Sequence, residues 1–461
     1  MVADGKRLSG RLCLLLAVVV LAGCGASGES QSEGSAGEDL GSRTAPKPRW
    51  PGGRTRWVRT VRSTGESDAP VALAHDRWDN VVTLSSHRTP IDFGQGPEGA
   101  PSGAFVLAVS KYSPEGELLW SRLLEAPARP GVSPYVKAQA LALDREGNIF
   151  FTGQQSGGLD LGTGPLPTGA FLGRLDAEGH PCAARPLPTN ATELAVDAGG
   201  GVTLAGVLTG RVDFGNGPVT GTGNSYLVRY GPEGGLRWLF VDSARGIPTD
   251  LAVDDAGDLY LVGGMFHPVT RLLTPCLAHF SAEGEQRWTR RLDGAAGLAM
   301  SVAAHGGQVV VSGYFMGSIV FQGETLRAPT SRGFALAYGR EGDERWGVLL
   351  GSNWGLVEMD QGSGVVVAGR YTGGEDFGLG LGKLEGHTES TNLYVLRLQR
   401  PTGKLQWFHN YPATSTVPVD LFVTRQGEPA LTGIFRAPVD LGTGPQTPSP
   451  GSNAFVLQLE R

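Results

Sequence analysis

A repeat constrains this chain more than any other feature. "NIFFTG" ends at Gly153, and the matching position recurs at Ser85, Gly206, Gly263, Gly313, Gly369 and Gly433, seven copies spaced 50 to 68 residues apart. A self-similar period of this length marks one supersecondary unit used again and again. Each copy carries four segments. A short apolar run ends near an acid, as in "ALALD" (Ala140–Asp144), and a Gly turn leads into "NIFFTG" (Asn148–Gly153). An Asp-Phe/Leu-Gly stretch then precedes "AFLGRLD" (Ala170–Asp176), and a last Gly turn enters a tryptophan segment, as in "SPEGELLWSRLL" (Ser113–Leu124). These runs are rich in Val, Leu, Phe and Tyr and bounded by Gly, Pro and Asp, which are strand signals. No stretch sustains an apolar period of 3.6, so helices should be nearly absent. The 71 Gly and 30 Pro punctuate the chain as an all-β protein requires.

Four strands per unit, repeated radially, is the pattern of a β-propeller. Trp120, Trp238, Trp288, Trp346 and Trp407 close five units, and Ala183 takes that slot in the second. The seventh unit stops at "AFVLQLER" (Ala454–Arg461) without a fourth strand, yet an orphan tryptophan strand, "RTRWVRTV" (Arg54–Val61), stands before the first. The expectation is an all-β, seven-bladed propeller over residues 54–461, four antiparallel strands per blade, closed by an N-terminal strand (54–62) that completes the last blade. Closure of this kind leaves no open sheet edge at the seam.

The repeated "D-x-x-G-N-x-x-x-T-G", "D-F-G-x-G-P" and "G-E-L-x-W" elements resemble the SBBP-type β-propeller repeat of bacterial secreted proteins and lipoproteins, from Arg54 to Arg461. "PTGKLQW" (Pro401–Trp407) also resembles the tryptophan motif of quinoprotein-like propellers, a family with quinone-dependent dehydrogenases and an outer-membrane assembly lipoprotein. The remaining segments fit the first family better. Neither resemblance implies a shared reaction, because propellers host many unrelated functions.

The amino terminus is a separate matter. Lys6, Arg7 and Arg11 precede the apolar run Leu12–Ala22, and Leu21-Ala22-Gly23-Cys24 follows. This is the layout of a secretory signal peptide over residues 1–23, and the run is too short for a membrane span of about 20 residues. The ending resembles the bacterial lipobox, which implies cleavage before Cys24, lipidation there (palmitate among the acyl groups) and attachment at the cell envelope. Gly25 in place of Asp favours the outer membrane on the same resemblance. Residues 24–53 are mostly Ser, Gly, Glu and Ala, a composition that reads as a flexible tether.

The formal charge is −6, and no basic patch or tail favours nucleic acid. Beyond Cys24 the cysteines are Cys182 and Cys276, on blades too far apart to join and expected as buried apolar groups. Asp92, Asp160, Asp213, Asp376 and Asp440 recur between second and third strands. One acid per loop is too few for calcium, which takes six to eight oxygens, so these are read as turn formers. Asp76, Asp144, Asp197 and Asp254 are read likewise in the first turns. No zinc spacing, nucleophile elbow or phosphate loop is present, so no metal, cofactor or catalytic residue is expected.

Short 1–2 and 3–4 turns share one face, whereas the opposite face carries the long irregular loops. There, Glu375, Asp376, Glu385, His387 and Glu389 cluster in one loop as candidate ligand contacts. The expected function is a lipid-anchored, extracytoplasmic, monomeric and non-catalytic scaffold binding a protein or polysaccharide through that face. The alternatives are an outer-membrane protein assembly scaffold, or a quinone-dependent dehydrogenase or lyase with its site in the central funnel. The inner segments "VALAH", "LALD", "LAVD" and "LFVT" read as too apolar for the last of these.

Overall fold

The computed structural model describes residues 52–461 apart from 64–68, 89, 100–104, 128–134, 198, 389, 413–414 and 449–452. The signal segment, Cys24 and nearly all of the tether lie outside the described residues. Among the described residues there is no helix, and four-stranded antiparallel sheets recur. The first repeat pairs Ala69–His75, Val81–Arg88, Phe105–Tyr112 and Leu118–Glu125 in order. The second pairs Tyr135–Leu143, Ile149–Ser156, Gly169–Leu175 and Pro181–Pro186. Repeats three and four merge into one sheet, because Leu236–Val253 is both the fourth strand of one and the first of the next. The fifth repeat runs from Ala295–His305 to Glu344–Leu349, and the sixth from Gly355–Met359 to Leu405–Tyr411.

The seventh repeat takes three strands from the C-terminus, Thr416–Val423, Pro429–Phe435 and Asn453–Leu459. Its fourth is the orphan: Thr55–Ser63 lies antiparallel to Asn453–Leu459, with Val58 opposite Leu457 and Thr60 opposite Phe455. Even the turn is rebuilt from two distant pieces. Gly53 N donates to Glu460 O (3.1 Å) and Glu460 N to Arg54 O (2.7 Å), as Gly116 N donates to Ser113 O and Ser113 N to Glu117 O within the first repeat. A two-residue hairpin from that repeat, Ile91–Asp92 with Pro97–Glu98, adds to the free edge of Thr55–Ser63. The exposed backbone of the borrowed strand is thereby partly covered.

Successive sheets are joined by packing and by hydrogen bonds from side chains of one repeat to the backbone of the next. One apolar cluster runs from Val82 and Leu107 in the first repeat to Phe151 and Phe171 in the second, and another from Tyr260 in the fourth to Phe334 in the fifth. A β-bulge recurs in the first strands, between Pro70/Ala72, Ala138/Ala140, Pro248/Asp250, Ala299/Ser301 and Pro418/Asp420. A bulge re-aims the side chain that follows it. Asp250 Oδ2 thus accepts from Val302 N of the next repeat (3.0 Å), Ser301 Oγ donates to Val357 O (3.3 Å), and Asp420 Oδ2 accepts from Leu73 N of the first repeat (2.9 Å).

The tryptophans form a second set of joints. Trp57, Trp238, Trp288 and Trp346 each donate Nε1–H to a carbonyl in the 3–4 turn of another repeat, namely Pro114, Ala282, Arg340 and Arg400, at 2.6 to 3.0 Å. The ring lies flat on that turn's glycine. Gly116 has φ +82°, and a Cβ there would stand 2.6 Å from Trp57 Cδ2, so both backbone angle and space require glycine. Trp407 meets Gly53 of the split turn in the same way.

Trp57→Ala should therefore cost about 3–5 kcal/mol, the usual range for a buried tryptophan. Trp78→Ala, at a side chain 53% exposed, should stay within about 0.5 kcal/mol. Urea midpoints of the two variants against the parent check both.

Candidate binding face

The two ends of the sheets differ in kind. At one end the 1–2 and 3–4 turns are short and internally capped. Asp144 Oδ1 accepts from Glu146 N (3.0 Å) and Asn148 N (2.8 Å), and Asp76, Asp176, Asp197 and Asp254 repeat the arrangement. Several of these acids also hold a cation from a third strand. Lys111 Nζ lies 2.8 Å from Asp76 Oδ2, Arg229 pairs with Asp197, and Arg397 pairs with Asp360. Burial works against the Asp76 carboxylate, but bonds from Asn80 and Lys111 still hold it below the ordinary aspartate range.

At the other end the Asp-Phe/Leu-Gly loops are turns, as read from sequence. Asp92, Asp160 and Asp440 each accept two backbone N–H bonds through Oδ1, from Gly94 and Gly96, Gly162 and Gly164, and Gly442 and Gly444, at 2.7 to 3.0 Å. Asp213 and Asp376 each accept one, from Gly215 and Gly378. The next side chain (Phe93, Leu161, Phe214, Phe377 or Leu441) is buried. No group of three or more His, Cys, Asp or Glu side chains among the described residues is arranged to hold a metal ion.

Repeats four and five lack this loop, and apolar side chains project there instead. Phe266, Val269 and Leu272 are exposed on the hairpin between Leu259–Phe266 and Leu273–Phe280, and Met316 and Val320 on the long hairpin Gln308–Phe321/Glu324–Gly339. Val269 is 81% exposed. The missing motif was visible in the sequence, but its consequence was not.

The five candidate loop residues do not act as one patch. Glu375 is turned inward, accepting from Ser352 N (2.7 Å), Ser352 Oγ (2.6 Å) and Thr372 N (2.8 Å). Asp376 caps its own turn. Glu385 and His387 are exposed, and Glu389 lies outside the described residues.

Two sequence expectations need correcting. Cys182 is exposed rather than buried, because it sits near the start of the outer strand Pro181–Pro186, where both Pro181 and Cys182 are open to solvent; Cys276 is half-buried, and burial pushes its thiol up to about 12. The first strands are also less apolar than read. They carry Glu193, Asp250, Glu358 and Asp420, together with Lys137. The quoted segments began too late in some strands and passed over others. Glu358 is half-buried, and burial first, with the Asp250 and Asp420 charges adding, pushes its carboxyl up to about 8 against the Met359 N–H that favours the anion.

No family model matches the chain, and no curated protein matches it. Similar solved structures include the WD40 domain of Neurospora crassa Pan2, 8% identical over 87% of this chain and 95% of that one, with a TM-score of 0.45. The β-propeller domain of the Trilobed protease from Pyrococcus furiosus is 8% identical over 79% and 89%, at 0.42. BamB from Moraxella catarrhalis is 12% identical over 84% and 100%, at 0.37.

Two measurements follow. Asp440→Ala should lower stability by about 1 kcal/mol through lost turn bonds, while calcium or EDTA leaves the parent's thermal midpoint unchanged. Because folding raises the Glu358 pKa, its contribution is fully present below the ordinary glutamate range and lost as pH rises through about 8. Urea midpoints from pH 4.5 to 8.5 should fall for the parent and fall less for Glu358→Gln.

Proposed function

We propose that the chain is a closed, seven-bladed β-propeller that acts as a non-catalytic binding scaffold through its long-loop face. The ring reading is supported by the order of joints: each repeat bonds or packs to the next, and the seventh returns to the first through Asp420–Leu73, Trp57–Pro114 and the cluster of Trp57, Leu73, Tyr112 and Val456. The binding reading is carried by one observation, the exposed Phe266, Val269, Leu272, Met316 and Val320 on the hairpins of consecutive repeats. Apolar side chains gathered this way favour a protein partner over a polysaccharide, which needs stacking rings and hydrogen bonds.

The chain is further proposed to be lipid-anchored at Cys24, extracytoplasmic and attached to the outer membrane. Gly52 enters at the short-turn end, beside the rebuilt 3–4 turn. The inner-strand carboxylates favour an enzyme as a second reading, but Asp250 and Asp420 each bind a backbone N–H of another repeat, which is a structural task.

Cross-linking on intact cells followed by purification tests the face. Val269→Asp with Val320→Asp should abolish capture of the partner without moving the thermal midpoint, and undiminished capture would contradict this face. Cys24→Ser should shift the protein from membrane to soluble fractions.

A further inference from the structure

The long-loop face also holds a cation whose charge nothing in the fold answers. Arg370 lies near the end of the strand Gly364–Thr372, opposite Leu393, which in turn faces Tyr411. Gly355 pairs with Gly369, so Trp354 is the residue flanking Arg370 on its other side. This row shares its face with the Val366–Arg397 pair four positions along, and Arg397 reaches Gly427 O of the seventh repeat (3.2 Å). Arg370 is therefore directed at the seam between repeats six and seven, at the long-loop end.

At the opposite end of that seam the Arg397 charge is met by Asp360. Arg370 has no such partner: its side chain makes no hydrogen bond or ion pair among the described residues, and its Nε is buried with no acceptor. Removal from water alone pulls its pKa down. The acids nearest in sequence are committed elsewhere, Glu375 to Ser352 and Thr372 and Asp376 to Gly378. Thr416, which opens the first strand of the seventh repeat across the seam, is fully buried, and its Oγ1 also lacks a partner. Arg370 is half-buried. A guanidinium with unused donors is the group that binds planar oxyanions through two parallel bonds, and even partial removal from water without a counter-charge has a cost.

We propose that Arg370 is an oxyanion-binding residue of the long-loop face, recognising a carboxylate or phosphate group on the ligand. This deepens the scaffold reading above, and small anions test it without the partner, so failure here and failure to capture a partner are separate results. The thermal midpoint of the full chain is measured against inorganic phosphate, acetate and chloride at matched ionic strength, for the parent, Arg370→Met and Arg370→Lys. The parent should show a saturable rise in phosphate or acetate beyond that in chloride, with the more effective anion naming the group recognised. Arg370→Met should respond to all three salts alike and, freed of an unpaired charge, melt no lower than the parent in chloride; Arg370→Lys should respond more weakly than the parent. An equal anion response in Arg370→Met, or a parent that responds to neither anion beyond chloride, would overturn the proposal.

Discussion

The pairing of Thr55–Ser63 with Asn453–Leu459 is the constraint on which the rest depends. Without it the seventh sheet has three strands, and the edge of Asn453–Leu459 is a row of unpaired N–H and C=O groups. Trp57 would also lose its seat on Gly116, and with it the indole bond to Pro114 O. One strand therefore supplies a ladder, a tryptophan joint and the missing half of a turn. The cost is a contact between the two ends of a long chain, which must wait for long-range ordering and is slow for entropic reasons.

The other joints are local variations on one theme, in which a side chain of one repeat satisfies a backbone group of another. Tryptophan N–H groups do this at the 3–4 turns, and Ser301, Asp250 and Asp420 do it along the first strands. Burying backbone without such partners would cost more than the packing returns. Function must then be sought where this mutual satisfaction lapses. Buried polar atoms without partners occur in several repeats, Trp407 Nε1 and Arg229 Nη1 among them; on the long-loop face the lapse at Arg370 comes with the exposed apolar hairpins of repeats four and five.

Much of this was legible in the sequence, because strands, turns and the tryptophan position are set by short-range chemistry that recurs seven times. The Asp-Phe/Leu-Gly motif declared itself a turn by its single acid and its glycines, and the structure puts that acid on those glycines' N–H groups. What depended on a bulge was not legible: Asp250 and Asp420 follow irregularities that no periodicity reveals. Nor was Glu375, whose inward turn depends on Ser352, 23 residues away. The isolation of Arg370 is a statement about every neighbour it lacks, and a linear reading of residues cannot supply that.

Native-state hydrogen exchange tests the central claim most directly. If the borrowed strand closes the wheel, amides of Trp57–Val61 should exchange in the same slow cooperative event as those of Ala430–Phe435 and Ala454–Leu457. Exchange of Trp57–Val61 in an earlier and separate event, with the other sheets still protected, would contradict the account.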